Sequence, residues 1–281
     1  MPEISVIIST YNSPTWLEKA LAGYACQRSA PFEIVIADDG SGADTCAVID
    51  RFWDLGRQEG LFKLTHVRHG DAGFRKWQIV NDAIAAARGD YLVFTDGDCI
   101  PHPDLLATHA RLAAPGQFLS GGYFRLPMAT SRAITPGSIR SGAAFRLRWL
   151  RRHGLGVSSK WLKVLGPAWG IGGPLDRISP ARKTFNGNNS SCWRADALRL
   201  CGFDTRIRYG GGDREFGYRL QHAGVTPRVI RYSTLCLHLD HPRSYKSAEV
   251  RAANLAIIDE TLATGRIATD YGLTKEQTAS C

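Results

Sequence analysis

The stretch "DYLVFTDGDCIPHPDLL", Asp90–Leu106, decides the fold. Its apolar run ends abruptly in two carboxylates, Asp96 and Asp98, with only Gly97 between them. The run reads as a buried strand. Residues two apart on a strand point the same way, and a glycine past the strand end frees the backbone. Two like charges held together are costly unless a cation or a shared proton relieves them. A solvated Asp-Gly turn is the plain alternative.

Working outward, the same pattern recurs upstream. "ISVIIS", residues 4–9, reads as a strand leading into Thr10-Tyr11-Asn12, and "FEIVIADDGS" as a second strand ending in Asp38-Asp39. "LFKLTHVR" is a third strand, the pattern running directly from the second to it. Ser13-Pro14 predicts a helix start with Ser13 as N-cap, and Leu17, Leu21 and Tyr24 form its stripe. "GFRKWQIVNDAIAAARG" predicts a helix with Trp77, Val80, Ile84 and Ala87 on one face and Gly89 as its stop. A helix follows Pro103. Strands alternating with helices predict an α/β fold with a mostly parallel sheet flanked by helices. Ligands of such sheets collect at the carboxyl ends of the strands, where all three polar clusters fall.

The 281 residues are 44% hydrophobic, which suits one large α/β domain or one with an appendage. No apolar run approaches a membrane span, and the chain runs from its first residues into "EISVIIST", so no signal peptide is expected. Seven scattered cysteines, Cys26 to Cys281, without C-x-x-C spacing fit reduced thiols and a cytoplasmic setting. The net charge of +9 is concentrated: Arg125–Lys183 holds twelve Lys/Arg against the single acid Asp176. Something anionic is expected there.

The second half supplies further chemistry. Gly210-Gly211-Gly212 precede a helix from about Asp213, with Phe216 and Leu220 apolar and Gly224 as its stop. A carboxylate at a helix N-terminus is favoured in its ionised form and can take a proton from an attacking hydroxyl. Asp213 is therefore a candidate base, with an ordinary acidic N-cap as the alternative; Glu215 is the second candidate, with holding the turn or an acceptor hydroxyl as its alternative. His238 and His241 follow a strand-like run. With a carboxylate they suit Mn²⁺, and Mg²⁺ less well. A terminal helix is expected with Leu255, Ile258 and Leu262 on its packed side.

"ISVIISTYN", "EIVIADDGS", "GFRKWQIVNDAIAAARGDYLVFTDGDCIPHPDLL", "NGNNSSCWRADALRLCGFDTRIRYGGGDREFGYRLQHAG" and "HLDHPRS", in this order, resemble glycosyltransferase family 2, enzymes of the GT-A fold that use nucleotide sugars. The second half resembles the β-1,4-galactosyltransferase and bacterial chondroitin-polymerase type. The resemblance implies a UDP-sugar donor, inversion, and a surface-glycan or lipid-linked acceptor. It places Thr10, Tyr11 and Asn12 at the nucleobase pocket, Asp39 on the uridine, Asp96 on ribose or metal, and Asp98, His238 and His241 on the metal. It makes Asp213 the base. Tyr209, Gly211, Gly212 and Asn188 would border donor sugar and acceptor, with Gly97 and Asn81 in the donor site. Two departures stand out: Gly212 replaces the acid usual before the base, and Val80-Asn81 replaces Arg-Asn. Arg75 or Lys76 would supply the missing charge.

The implied organisation is a nucleotide-sugar half at 1–126, a basic insertion at 127–183, a catalytic and acceptor half at 184–246, and a helix and tail at 247–281. "SGAAFRLRWLRRHGLGVSSKWLKVLG" within the insertion suits an interfacial helix on anionic lipid, or a groove for an acidic or phosphorylated acceptor, with a solvated face as the plain alternative; peripheral association with the inner leaflet is expected. Basic-plus-aromatic composition is also a nucleic-acid footprint, but the acidic strand ends would repel phosphate, so no nucleic-acid partner is expected. A non-catalytic glycosyltransferase-like binding protein is the other rival. A nucleotidyltransferase would need a Gly-rich basic loop after the first strand, which "TYNSPT" is not.

Overall fold

The computed structural model describes residues 1–180, 182–242 and 247–279. Arg243 and Ser244 of the "HLDHPRS" match, and Cys281, lie outside them. Ten strands are present among the described residues: β1 Ile4–Thr10, β2 Phe32–Asp38, β3 Lys63–Arg68, β4 Tyr91–Asp96, β5 Cys99–Pro101, β6 Gln117–Gly121, β7 Tyr123–Arg125, β8 Ser190–Trp193, β9 Thr226–Ile230 and β10 Cys236–His238. Seven form the main sheet in the order β3-β2-β1-β4-β8-β6-β9. β1 to β4 pair in parallel, as do β6 and β9, while β8 runs antiparallel to both of its neighbours. This is an α/β fold with a largely parallel sheet flanked by helices.

Alternation along the strands splits the core between the two faces. Val6, Ile8, Ile34 and Ile36 pack on one side; Ile7, Val35 and Ala37 pack on the other. Parallel neighbours need a crossover, so β2 and β3 cannot be joined by a hairpin. The helix Ala43–Glu59 makes that crossover, where the sequence pattern runs straight from strand to strand. Ser13 sits at the start of the Pro14–Tyr24 helix, but its side chain makes no cap bond. The Lys76–Ala86 helix stops at Ala87, which is already extended. Gly89 serves instead as a close approach: a Cβ there would lie 2.7 Å from the Glu3 carbonyl oxygen.

Register brings the polar strand ends together. Thr10 stands beside Asp38, and Ser9 beside Asp96, at the carboxyl ends of three adjacent strands. A second sheet, β5-β10-β7, lies immediately after them. In it His238 pairs with Cys99 on one side and Arg125 on the other.

The terminal helix, Ala248–Thr264, docks differently from expectation. Asn254, Ile258 and Thr261 are buried, whereas Leu255 and Leu262 are exposed. Polar anchors outweigh the leucine stripe: Asn254 donates to the carbonyls of Tyr209 and Gly210, and Thr261 donates to Glu215. The basic segment is a run of short helices, the longest being Leu162–Trp169. Phe145, Leu150, Leu155 and Val164 join the core, whereas Val157, Leu162, Ile171 and Ile178 of the same segment are exposed. Among the described residues no helix is long and apolar enough to cross a membrane.

Candidate active site

Pairing of β10 with β5 explains why histidines 140 and 143 positions downstream reach Asp98. The Leu239 amide donates to the Asp98 carbonyl, locking the two strands at this point. His241 Nε2 is then 3.2 Å, and His238 Nε2 3.8 Å, from Asp98 Oδ2. The three donor atoms lie within 4.8 Å of one another. Each imidazole Nδ1 lies within hydrogen-bond reach of a carbonyl, Leu239 for His238 and Pro242 for His241. With Nδ1 as the donor, the Nε2 lone pair of each ring faces the carboxylate. Two lone pairs and an anion around one point fit a divalent cation. Burial pushes the Asp98 carboxyl up, and Asp96 adds to the rise, against the pull of the two histidines.

Asp96 is held separately. It accepts from Ser9 and from the Lys76 ammonium, each at 2.6 Å, and from the Asn188 amide. Burial works to raise its carboxyl, but the Lys76 charge and these bonds outweigh it and hold the carboxyl below its ordinary value. Burial likewise opposes the charge on Lys76, and Asp96, then Asp213 and Asp98, raise its ammonium instead. Lys76 is thus paired with Asp96, in the field of the other two carboxylates. Of the two cations expected to replace a charge at Val80, Lys76 is the one that reaches a site carboxylate. The Arg75 guanidinium turns away to the Gly70 carbonyl.

Asp213 begins the Gly212–His222 helix and is half-buried. The Gly187 amide donates to its Oδ2 at 3.0 Å, and its own helix contributes the Arg214 amide at 2.9 Å. One turn, Gly187-Asn188, therefore touches both Asp213 and Asp96. Burial raises the Asp213 carboxyl above its ordinary value despite those amides and Lys76. Behind this turn, the buried His109 bonds Asn189 and Ser191, and burial lowers its imidazole to about 4, so it is a neutral brace.

At the β1 and β2 ends, Asp39 is buried and bonded to His69 at 2.7 Å and to the Arg75 amide. Thr10 Oγ1, His69 Nδ1 and Arg75 Nε are buried without a partner among the described residues. Such orphans are expected where a polar ligand completes the site. Tyr11 is exposed, with its hydroxyl on Asp71 at 2.9 Å. Asn12 takes a left-handed φ of 43° and accepts from the Gly42 amide. Exposed Tyr209 packs against Phe74 with the rings tilted and their centres 4.0 Å apart. Gly97 is buried against Thr10 and Leu17.

Two candidates fall outside the site. Glu215 is fully buried, paired with Arg219 at 2.8 Å and bonded to Thr261, so it holds the helix and cannot meet an acceptor. Asn81 is also buried. It exchanges two hydrogen bonds with the Phe203 backbone and serves the fold. Ser9, His69, Asp71 and Gly187 belong to the site although no sequence motif marks them, and Lys76 is marked only as an alternative to Arg75 for the charge.

Gly212 has a steric explanation. A Cβ there would lie 2.4 Å from the Trp77 ring, which is buried and stacked on Phe203 at 4.8 Å. The indole occupies the room an acidic side chain would need. Gly212→Ala should destabilise the fold by about 1–3 kcal/mol, measured by urea unfolding. An unchanged midpoint would mean that the ring yields freely.

The profile of glycosyl transferase family 2 matches residues 5–149, just over half of the chain. The uncharacterized glycosyltransferase YfnE of Bacillus subtilis (strain 168) is 29% identical, over 90% of this chain and 68% of its own length. Validoxylamine A glucosyltransferase of Streptomyces hygroscopicus subsp. limoneus is 28% identical, over 88% of this chain and 54% of its own length. Among solved structures, the mannosyltransferase PcManGT from Pyrobaculum calidifontis, in complex with GDP-Man and Mn2+, superposes with a TM-score of 0.59 at 21% identity. That match covers 94% of this chain and 64% of the other. At that identity it speaks for the fold alone.

Proposed function

The chain belongs to glycosyl transferase family 2 and is a glycosyltransferase, and from that premise we propose its reaction. It moves a hexose or N-acetylhexosamine from a UDP-sugar to a hydroxyl of a surface glycan or lipid-linked acceptor, on the cytoplasmic side, with inversion. The observation that carries this is the convergence of Asp98, His238 and His241 on one point, next to Asp96, which the Gly187-Asn188 turn joins to Asp213. The same convergence supports the likeness to the β-1,4-galactosyltransferase and chondroitin-polymerase type.

Asp98, His238 and His241 would hold a divalent cation, Mn²⁺ before Mg²⁺, whose chemistry when bound is to neutralise a diphosphate. Asp39, with the orphaned groups of Thr10 and His69 beside it, would hydrogen-bond the nucleobase, and Tyr11 would cover it. Asp96 would take the ribose. Asp213 accepts the proton of the acceptor hydroxyl as its oxygen attacks the anomeric carbon from the face opposite the leaving diphosphate. The Gly187 and Arg214 amides fix the carboxylate for that transfer. Burial makes it a stronger base than a solvated aspartate. Gly211, Asn188 and Tyr209 would border the donor sugar.

A screen of nucleotide sugars for Mn²⁺-dependent hydrolysis and thermal stabilisation tests this reading. UDP-hexoses or their N-acetyl forms should stand out. Stabilisation by GDP-mannose alone would overturn the uridine assignment and keep the enzyme class. No hydrolysis of any nucleotide sugar would favour a non-catalytic binding protein.

A further inference from the structure

A cleft of about 680 Å³ opens beside the carboxylate cluster, and its charge is one-sided. Arg125, Lys160, Lys163 and Arg231 line it, and among the described residues that do so there is no aspartate or glutamate. Its place is fixed by β7. Arg125 is paired in register with His238, and the Tyr123 ring lies 5.5 Å from the His238 ring. Asn186, next to the glycine that holds Asp213, forms another wall. The cleft is thus reached from both the cation-binding and the base side of the site.

Four cations around a shared hollow repel one another, and the low-dielectric walls prevent water from screening them fully. Lys163 shows the strain. Burial first, then Arg231 and Lys160, lower its ammonium to about 8, and it donates to the neutral Tyr123 carbonyl. Arg231 Nε is buried with no hydrogen-bond partner among the described residues. Ordinary surface lysines and arginines avoid such costs by turning to water or pairing with acids. Lys163 and Arg231 are half-buried at this hollow, one strand away from the reacting centre, and Arg125 and Lys160 are its exposed lining.

We propose that this cleft is the acceptor subsite and that it recognises an anionic group, a phosphate or a carboxylate, carried by the acceptor. The assignment rests on the sugar-transfer reading above and names the acceptor class for that same site. Composition alone leaves the basic segment open between a membrane surface and an acidic acceptor. The half-buried charges of Lys163 and Arg231, gathered on the wall of one cleft beside the site, favour the acceptor.

The test is binding, with the donor side saturated by UDP and Mn²⁺. Glucose, glucose 6-phosphate and glucuronate are titrated calorimetrically into the wild-type chain. Both anions should bind at least about tenfold more tightly than glucose, and the advantage should shrink with salt. A preference for one anion identifies the group as phosphate or carboxylate. Lys163→Met and Arg231→Met, singly and together, should each reduce the advantage, with unchanged thermal midpoints showing that the fold is intact. If the double variant does not fold, the single variants decide. Arg148→Met, an exposed cation away from the cleft, should leave the advantage intact. Equal binding of glucose and its anionic forms would overturn the proposal. So would an equal loss in Arg148→Met, which would reduce the effect to long-range charge. Displacement of glucose 6-phosphate by anionic vesicles would overturn it in favour of a membrane surface. Failure of every nucleotide sugar to react would sink the transfer reading, while these titrations would still decide the subsite.

Discussion

Asp213→Asn should reduce turnover by about 10²–10⁴-fold while leaving nucleotide affinity nearly unchanged. The substitution preserves volume and an oxygen that can still accept from the Gly187 and Arg214 amides. It removes only the capacity to take a proton. Stability should move the other way. Burial raises the folded-state pKa above that of the unfolded chain, so the native state binds this proton more readily. The group then favours folding at low pH, and that contribution is lost as pH rises through the folded pKa. At neutral pH the buried charge is therefore a cost, and the asparagine variant should unfold at an equal or higher temperature. The acidic limb of the kcat/KM profile should lie above the range of a solvated aspartate for the same reason. An inactive variant that also loses nucleotide binding or unfolds early would show a structural role instead. Turnover within about threefold of wild type would remove Asp213 from the mechanism.

The contrast between Asp213 and Glu215 shows what the sequence can and cannot reveal. Two positions along a helix lie about 200° apart around its axis, so both cannot face one cleft. That rule alone rejects one of them. Which one depends on Arg219, Thr261 and Arg266, whose contacts with Glu215 exist only in the folded chain. The end of β4 is legible because a buried apolar run that stops at Asp96 must bring that carboxylate to the carboxyl end of the sheet, whereas Asp38 stays fully buried, bonded to His66 and the Ser41 amide. The Ala43–Glu59 helix leaves a fainter trace. Thr45, Val48, Ile49, Phe52 and Gly56 follow a helical spacing, but only three of the five are large and apolar. The roles of Lys76 and Trp77 lie beyond local pattern. Their partners, Asp96 for one and Gly212 for the other, are brought to them only by the folded sheet. The same is true of Asn81, which has the composition of a site residue and the contacts of a brace.

Replacing the cation ligands should produce the second large effect. Asp98→Asn and His241→Ala should each weaken Mn²⁺ binding by at least about 100-fold, because a lost ligand costs no less than a lost supporting bond. Transfer at fixed metal should fall accordingly and recover only partly at high Mn²⁺. His238→Ala carries a further penalty, since this ring is buried against Tyr123 and its loss opens a gap in the second sheet. Its metal affinity should therefore be read together with its thermal midpoint. Calorimetry at two pH values gives an independent check. Imidazoles must be neutral to bind a metal, so affinity should fall in acid, and binding there should release protons. Wild-type protein at 100 times the dissociation constant of Mn²⁺ should gain about 2.7 kcal/mol of stability, and Asp98→Asn should gain far less at the same concentration. Saturable Mn²⁺ binding that is unchanged in all three variants would place the ion elsewhere. The pairing of β10 with β5 would then be a feature of the fold alone, with no part in holding the diphosphate.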